Sequence, residues 1–449
     1  VSLVGVNGLP VGGAASAVNG TPTSALPENP TIYLDASGND ANSGLSSSSP
    51  MKTLAALAKR IRGAVGIVTV SMAAGTFALP SDQVLDFPAP AGDQIKFLGS
   101  KADSGLSTRT SSSGTAGSGI AFATVTDAAG GLTVNAWQGW VLRCVSATQA
   151  NNVGQMLFIF ANSATTYTLI GQLPAAVTNG DTWVIEKPAT IWSTSVHAYL
   201  GVRRAYCEWI DFQPASAKFI HLDGVWTANQ SWVNSSGNGG IRCNNGLLNA
   251  GVPPDARADN ASTSIYCGIL IKSTATRITS QVGGIFDLNQ SGTIASTGSF
   301  LFTGRSIATL SQCGVSGGGS ITTTVMADLQ MLTCRVDTGG VSVNQGSRLR
   351  LSTCDISNVT GAGLTLDTGA FAEITALTGT GNTTYGVSHN NGARSRVSDP
   401  GSGTTITGTT ADVLLGGAGA KAWSAINTGN AADTNDYAAT TPENVSCSK

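Results

Sequence analysis

The sequence predicts an all-β fold, a parallel β-helix in which short strands wind into stacked turns, and three observations carry that prediction. The first is a repeat. Gly240-Ile241-Arg242-Cys243-Asn244-Asn245-Gly246 returns as Gly340-Val341-Ser342-Val343-Asn344-Gln345-Gly346, then as Gly363 to Gly369, then as Gly386 to Gly392. The last three copies begin 23 residues apart, a degenerate copy at Phe219 to Gly224 begins 21 before Gly240, and another opens at Gly284. The second is a column of cysteines, Cys313, Cys334 and Cys354, spaced by 21 and 20 residues within strand-like runs. The third is composition: 56 glycines in 449 residues, 41% hydrophobic and only 11% charged, which is too apolar and too weakly charged for a disordered chain. A period of 20 to 23 residues with no helical stretch inside it fits a parallel β-helix better than a leucine-rich or ankyrin array.

The elements follow in order along the chain. Residues 1–29 are nearly uncharged Gly, Ala, Pro and Val, which suits an attachment arm as well as a frayed terminus. Residues 30–110 begin the β-helix. Thr31 to Asp35 reads as a strand, and a helix is expected from Pro50, with Leu54, Leu57, Ala58 and Ile61 on one face and Gly63 as its stop. Residues 111–190 change to longer strands separated by Asn, Gly and Pro, a small inserted antiparallel β module. Residues 191–425 hold the coils, about ten of them, and 426–449 form a tail or cap. Within the coils Val343 and Leu366 belong to an internal aliphatic ladder. Asn344, Asp367 and Asn390, each shortly before a closing Gly, are expected to take the left-handed conformation of the bend.

Charge and cysteine spacing narrow the function. With 24 Lys and Arg against 26 Asp and Glu, the net charge of -2 gives no electrostatic case for nucleic acid or an anionic membrane. No apolar run reaches the ~18 residues needed to span a bilayer, and Val1 to Val18 lacks the cationic start of an export leader. The eight cysteines form no CxxC pair and none sits near a histidine at zinc-ligand spacing, so neither a metal nor a cofactor is expected.

Tyr33-Leu34-Asp35, Gly38-Asn39-Asp40, Ser43-Gly44-Leu45-Ser46 and Pro50-Met51-Lys52-Thr53-Leu54 resemble the opening segment of right-handed parallel β-helix proteins of the pectin-lyase-like superfamily. The resemblance implies that the helix caps the first coil. Within that group the chain is most similar to bacteriophage tailspike and tail fibre proteins. Trp137-Gln138-Gly139-Trp140, Gly154-Gln155, Asn162 to Thr166 and Gly180-Asp181-Thr182 look like a β module of virion proteins. This similarity implies a homotrimer located in the virion, an arm that docks on other tail or baseplate proteins, and coils that meet a host surface glycan. A secreted polysaccharide lyase or glycoside hydrolase is the alternative, and a purely structural virion decoration is a third reading.

No catalytic signature accompanies the resemblance. Glycan cleavage needs two carboxylates, or a base with charge neutralisation, and the chain has five glutamates. The candidates cluster in the early coils. Glu208 or Asp211 against Asp255 or Asp259, the latter two in a polar loop that interrupts the repeat, is the candidate catalytic pairing. Trp209 and Trp232, 23 residues apart, could stack as a sugar platform if they point outward and are core if they point inward; His221 and Arg242 complete the candidate glycan site. Cys313, Cys334 and Cys354 are expected as buried thiols, and His389 as a hydrogen-bonded residue near the core. Arg348, Arg350, Arg394 and Arg396 read as a thin basic scatter suited to a solvated face or a subunit contact.

Overall fold

The computed structural model describes residues 26–439 apart from 244–262, 424–436 and shorter breaks. Its main body is an all-β parallel solenoid of about ten turns. Three parallel sheets of 15, 11 and 8 strands run along it among the described residues, and inside each sheet a strand pairs with its counterparts in the neighbouring turns. The reason lies in the repeat. Equivalent residues meet across the ladder, so a column of one residue type becomes one wall of the core. Val341, Leu364 and Val387 are aligned, as are Val343, Leu366 and His389, and all six side chains are buried. His389 stands in the aliphatic column as expected near the core, with its Nε2 2.7 Å from Ser395 Oγ.

The cysteine column is also present. Gly314 pairs with Arg335 and Arg335 with Asp355, which brings the preceding residues Cys313, Cys334 and Cys354 into line. All three are free thiols, each 1% exposed. Cys334 Sγ donates to Leu310 O at 3.2 Å and Cys354 Sγ to Met331 O at 3.4 Å. Burial pushes the Cys334 thiol well up, and for Cys354 a hydrogen bond with the Cys334 thiol, together with burial, does the same.

The bends differ from expectation by one residue. Asn344, Asp367 and Asn390 are not the left-handed residues; the pairs that follow them are, Gln345 and Gly346 at φ 53° and 71°, Thr368 and Gly369 at 47° and 72°, Asn391 and Gly392 at 46° and 77°. Asp367 stabilises the bend from outside it. Its Oδ1 accepts the Thr368 N–H at 2.7 Å and the Asn391 Nδ2 of the next turn at 2.7 Å. A second column of bends, before the strands of the 11-stranded sheet, consists of single left-handed residues: Trp209, Gln230, Gln290, Gln312, Thr333 and Thr353, with φ between 45° and 56°. None of these is glycine or asparagine, so the column carries no turn signal in the sequence.

At the N-terminal end, strand Thr31–Leu34 pairs with Val68–Met72. The helix, α1, covers Leu54–Arg60 and starts after Thr53, whose hydroxyl accepts the Ala56 N–H at 3.1 Å. Pro50 therefore lies ahead of the helix rather than in its first turn. Asp40 sets this start: Oδ1 accepts the N–H groups of Lys52 at 2.9 Å and Thr53 at 2.8 Å, and Oδ2 accepts the Thr53 hydroxyl at 2.8 Å. Leu54, Leu57 and Ala58 face inward, joined by Ile61 just past the helix end.

A seven-stranded antiparallel sheet runs from Lys101–Asp103 to Thr182–Pro188 and has its own core, including Val125, Leu142, Ile159, Leu169 and Trp183. It also holds buried charge. Glu186 is paired with Arg143 through two 2.8 Å bonds and with Lys101 at 2.8 Å. Burial penalises the charged carboxylate, but the two cations outweigh it and hold Glu186 below its ordinary 4.5. At Asp181 burial is likewise outweighed, by hydrogen bonds from Thr178 and Thr148, and the carboxyl lies below 3.8. Depressed folded values mean that the stability they contribute is present above the ordinary carboxylate range and is lost as the pH falls through the lowered values.

Two outcomes follow for solution. Titration with a thiol reagent is expected to leave Cys313, Cys334 and Cys354 unmodified in the native protein and to modify all three after denaturation; native labelling would contradict the stacked column. On acidification below the ordinary carboxylate range, hydrogen exchange is expected to show residues 101–188 losing protection before the turns between 307 and 397, and the reverse order would remove the role given to Glu186 and Asp181.

Candidate functional site

One outward-facing column on the 11-stranded sheet determines what surface the solenoid exposes. In register along it lie Asp211, Trp232, Leu270, Gly292, Gly314, Arg335 and Asp355. The antiparallel module is seated on the first part of this column. Trp209, Trp232 and Leu270 join Phe122, Phe158 and Phe160 of the module in one apolar cluster. Gly314 leaves room for it: a Cβ there would come 3.0 Å from Phe160.

This placement corrects the sugar-platform reading of Trp209 and Trp232. Both indoles do lie outside the solenoid core, but the module covers them, and they are 5% and 7% exposed. Burying two tryptophans is strongly favourable, and each ring nitrogen still finds an acceptor. Trp232 Nε1 donates to Gly139 O at 2.9 Å and Trp209 Nε1 to Glu208 Oε1 at 3.1 Å, while Lys101 Nζ lies 5.6 Å from the Trp209 ring centroid. Glu208, a catalytic candidate, also accepts the Tyr206 hydroxyl at 2.8 Å, so both its oxygens are engaged in holding this junction. Asp211, the other, is 4% exposed and accepts Gln213 Nε2 at 2.7 Å. Asp211 is thus withdrawn from solvent, while Glu208 is half-buried. The backbones of His221 and Arg242 are direct neighbours in the ladder. Asp255 and Asp259 lie outside the described residues.

Where the module ends, the column emerges as a charged cluster that sequence reasoning missed. The Arg335 guanidinium stands 5.5 Å over the Phe160 ring, with Asp337 3.6 Å from its Nη2. Asn358 Nδ2 donates to Asp337 Oδ1 at 2.9 Å, and Ser357 Oγ donates to Asp355 Oδ1. Burial pushes the Asp355 carboxyl up; Ser357 and Arg335 oppose the shift and Asp337 adds to it. A carboxyl pushed up by burial, with a second carboxyl on the strand paired to its own, is an arrangement that acid and base chemistry can use.

An open depression lies on the outer face of the eight-stranded sheet. Strands Ile307–Ser311, Asp328–Leu332 and Arg348–Ser352 turn Ala308, Leu310, Leu329, Met331, Leu349 and Leu351 into the core. The residues between them point out, in two ladders: Ile307, Asp328 and Arg348; Thr309, Gln330 and Arg350. These six line a depression of about 160 Å³. A half-exposed aliphatic surface at Ile307 next to a hydroxyl, an amide, a carboxylate and two guanidiniums offers both an apolar contact and directional hydrogen bonds. Among the described residues no group of His, Cys, Asp and Glu could hold a metal ion, and no helix is long and apolar enough to cross a membrane.

No family model and no curated protein matches the chain. Solved structures similar to it include the tailspike protein gp49 from Pseudomonas phage LKA1, with 12% identity and a TM-score of 0.36 over 80% of this chain and 68% of that one. The gp54 tailspike of Acinetobacter baumannii bacteriophage AP22, in complex with capsular saccharide, is 11% identical over 86% of this chain and 76% of that one, with a TM-score of 0.22. XylC in complex with xylose is 8% identical over 87% and 68%, with a TM-score of 0.28. The chain has the parallel β-solenoid architecture that its opening segment implies.

The tryptophan junction is testable by itself. Trp232→Ala is expected to lower stability by about 3–5 kcal/mol in chemical denaturation and to open the boundary between module and solenoid to limited proteolysis. Unchanged proteolysis would show that the junction does not depend on this indole.

Proposed function

We propose that the chain is a bacteriophage virion spike or fibre protein that binds host cell-surface polysaccharide on the outer face of its eight-stranded sheet. The observation that carries this reading is the depression across three successive strands, where Ile307, Thr309, Asp328, Gln330, Arg348 and Arg350 converge. A sugar has an apolar ring face and a rim of hydroxyls, and this lining presents a partner for each. The solenoid keeps those partners in register along its axis, which suits a polymer rather than a single small molecule. The sequence resemblance to tailspike and tail fibre proteins supports the virion setting, a homotrimer, and attachment to other tail or baseplate proteins through residues 1–29.

A second reading, cleavage of the bound glycan, is favoured by the raised Asp355 beside Asp337. Asp355 would protonate the leaving glycosidic oxygen while Asp337 takes a proton from the water that attacks the anomeric carbon. It lies just around the Thr353 bend from Arg350, on the same turn as the depression.

Binding of the purified full chain to host capsule or lipopolysaccharide, measured by biolayer interferometry, is expected to weaken about tenfold in Asp328→Ala/Gln330→Ala. Equal affinity for both proteins would move the site off this face. For the second reading, reducing ends should accumulate with the native chain and disappear in Asp355→Asn with binding retained; no product from either protein leaves a binder alone.

A further inference from the structure

Beyond the depression, the same sheet face changes character. On the strands Asp328–Leu332, Arg348–Ser352, Phe371–Ile374 and Arg394–Val397 the charged residues are four arginines, Asp328 and Glu373. That local excess of two positive charges belongs to a chain whose net charge is -2. The register sorts the arginines into two short columns. Arg348 pairs with Phe371 and Phe371 with Arg394; Arg350 pairs with Glu373 and Glu373 with Arg396. All four arginines are exposed, and the intervening Phe371 shows 36% of its surface. Their neighbours do little to neutralise them. Arg350 and Glu373 approach to 3.8 Å with side chains 71% and 37% exposed, an ion pair of small value, and among the described residues Arg348, Arg394 and Arg396 have no ion pair.

We propose that this face binds an anionic polysaccharide whose acidic group recurs on every second sugar. The inference rests on the glycan-binding reading above and names the class of glycan. Two strand spacings separate the Arg348/Arg350 rung from the Arg394/Arg396 rung, about 9.6 Å, close to the length of a disaccharide in an extended chain. Each rung presents two guanidiniums, and a guanidinium fork matches the two oxygens of a carboxylate or the edge of a sulfate. Phe371 lies midway, an apolar surface for the uncharged sugar between two acidic ones. A rung of two arginines, a rung in which Phe371 stands beside Glu373, and a second rung of two arginines thus follow the alternation of the polymer, with the Glu373 carboxylate beside its uncharged sugar. Nucleic acid is a poorer match, because its charges are closer together and four arginines in a chain of negative net charge give little neutralisation.

The test compares retention of the full chain in affinity gels containing hyaluronate, which bears a carboxylate on alternate sugars, chondroitin sulfate, neutral dextran, or double-stranded DNA. Retention on hyaluronate and chondroitin sulfate is expected to exceed that on dextran and DNA about tenfold at low salt and to fall as salt is raised. Arg348→Ala/Arg394→Ala should abolish the difference, and Arg348→Lys/Arg394→Lys should restore part of it. A circular dichroism melt checks that these surface variants remain folded. Retention no greater on the anionic polymers than on dextran, equal retention on DNA, or an alanine variant that behaves as the native chain would each overturn the proposal. So would a concentration-dependent oligomer dispersed by the same alanine pair, since the face would then be a subunit contact. Binding to a neutral host capsule in the preceding assay would overturn this inference and leave the glycan-binding reading intact.

Discussion

Parallel in-register stacking of equivalent residues is the constraint on which the rest of this molecule depends. Because each side chain lies on its own kind one turn away, a single position decides the chemistry of a whole wall. Leucine and valine make a continuous core, cysteine makes a buried line of thiols, and alternating residues leave two independent ladders on each outer face. The same rule explains why one histidine in an aliphatic column needs Ser395 beside it, since a polar ring in that position has aliphatic neighbours along the ladder. It also explains how arginines with no proximity in sequence come to form rungs.

The antiparallel module follows a different logic and meets the solenoid through it. A solenoid face that carried Trp232 and Leu270 outward would expose a large apolar patch, which a monomeric surface rarely does. The module removes that patch, and glycine at 314 lowers the column so that Phe122 and Phe160 can approach. Just past Phe160 the column becomes Arg335 and then Asp355, so the edge of a structural interface is also where partly desolvated charge first appears.

The features legible in the sequence were those that repeat with a recognisable residue type. The period, the aliphatic and cysteine columns and the buried His389 can all be read from spacing, and the inserted module from its change of strand length. The bends were less legible. Asn344, Asp367 and Asn390 mark the bends but act as hydrogen-bonding neighbours of the left-handed residues, and the Gln290, Gln312, Thr333 and Thr353 series is imposed by the stacked ladders with no local preference to announce it. The functional surface was harder still. Trp209 and Trp232 had the right spacing for a platform, but nothing in their neighbourhood along the chain reveals that a module some seventy residues upstream covers them. Arg348 and Arg394 look scattered until the register places them two rungs apart, and Asp355 is unremarkable until burial and Asp337 act on it.

The seating of the module across successive turns has a mechanical meaning. A bare stack of coils can part at any junction, because each layer is bonded only to the layers on either side. Here a separate sheet is fastened over the layers that hold Trp209, Trp232, Leu270 and Gly314, so a pull along the axis cannot open one of those junctions without peeling away the brace that bridges them. Tension is shared across the clipped segment, and unravelling has to begin in the unclasped layers beyond it.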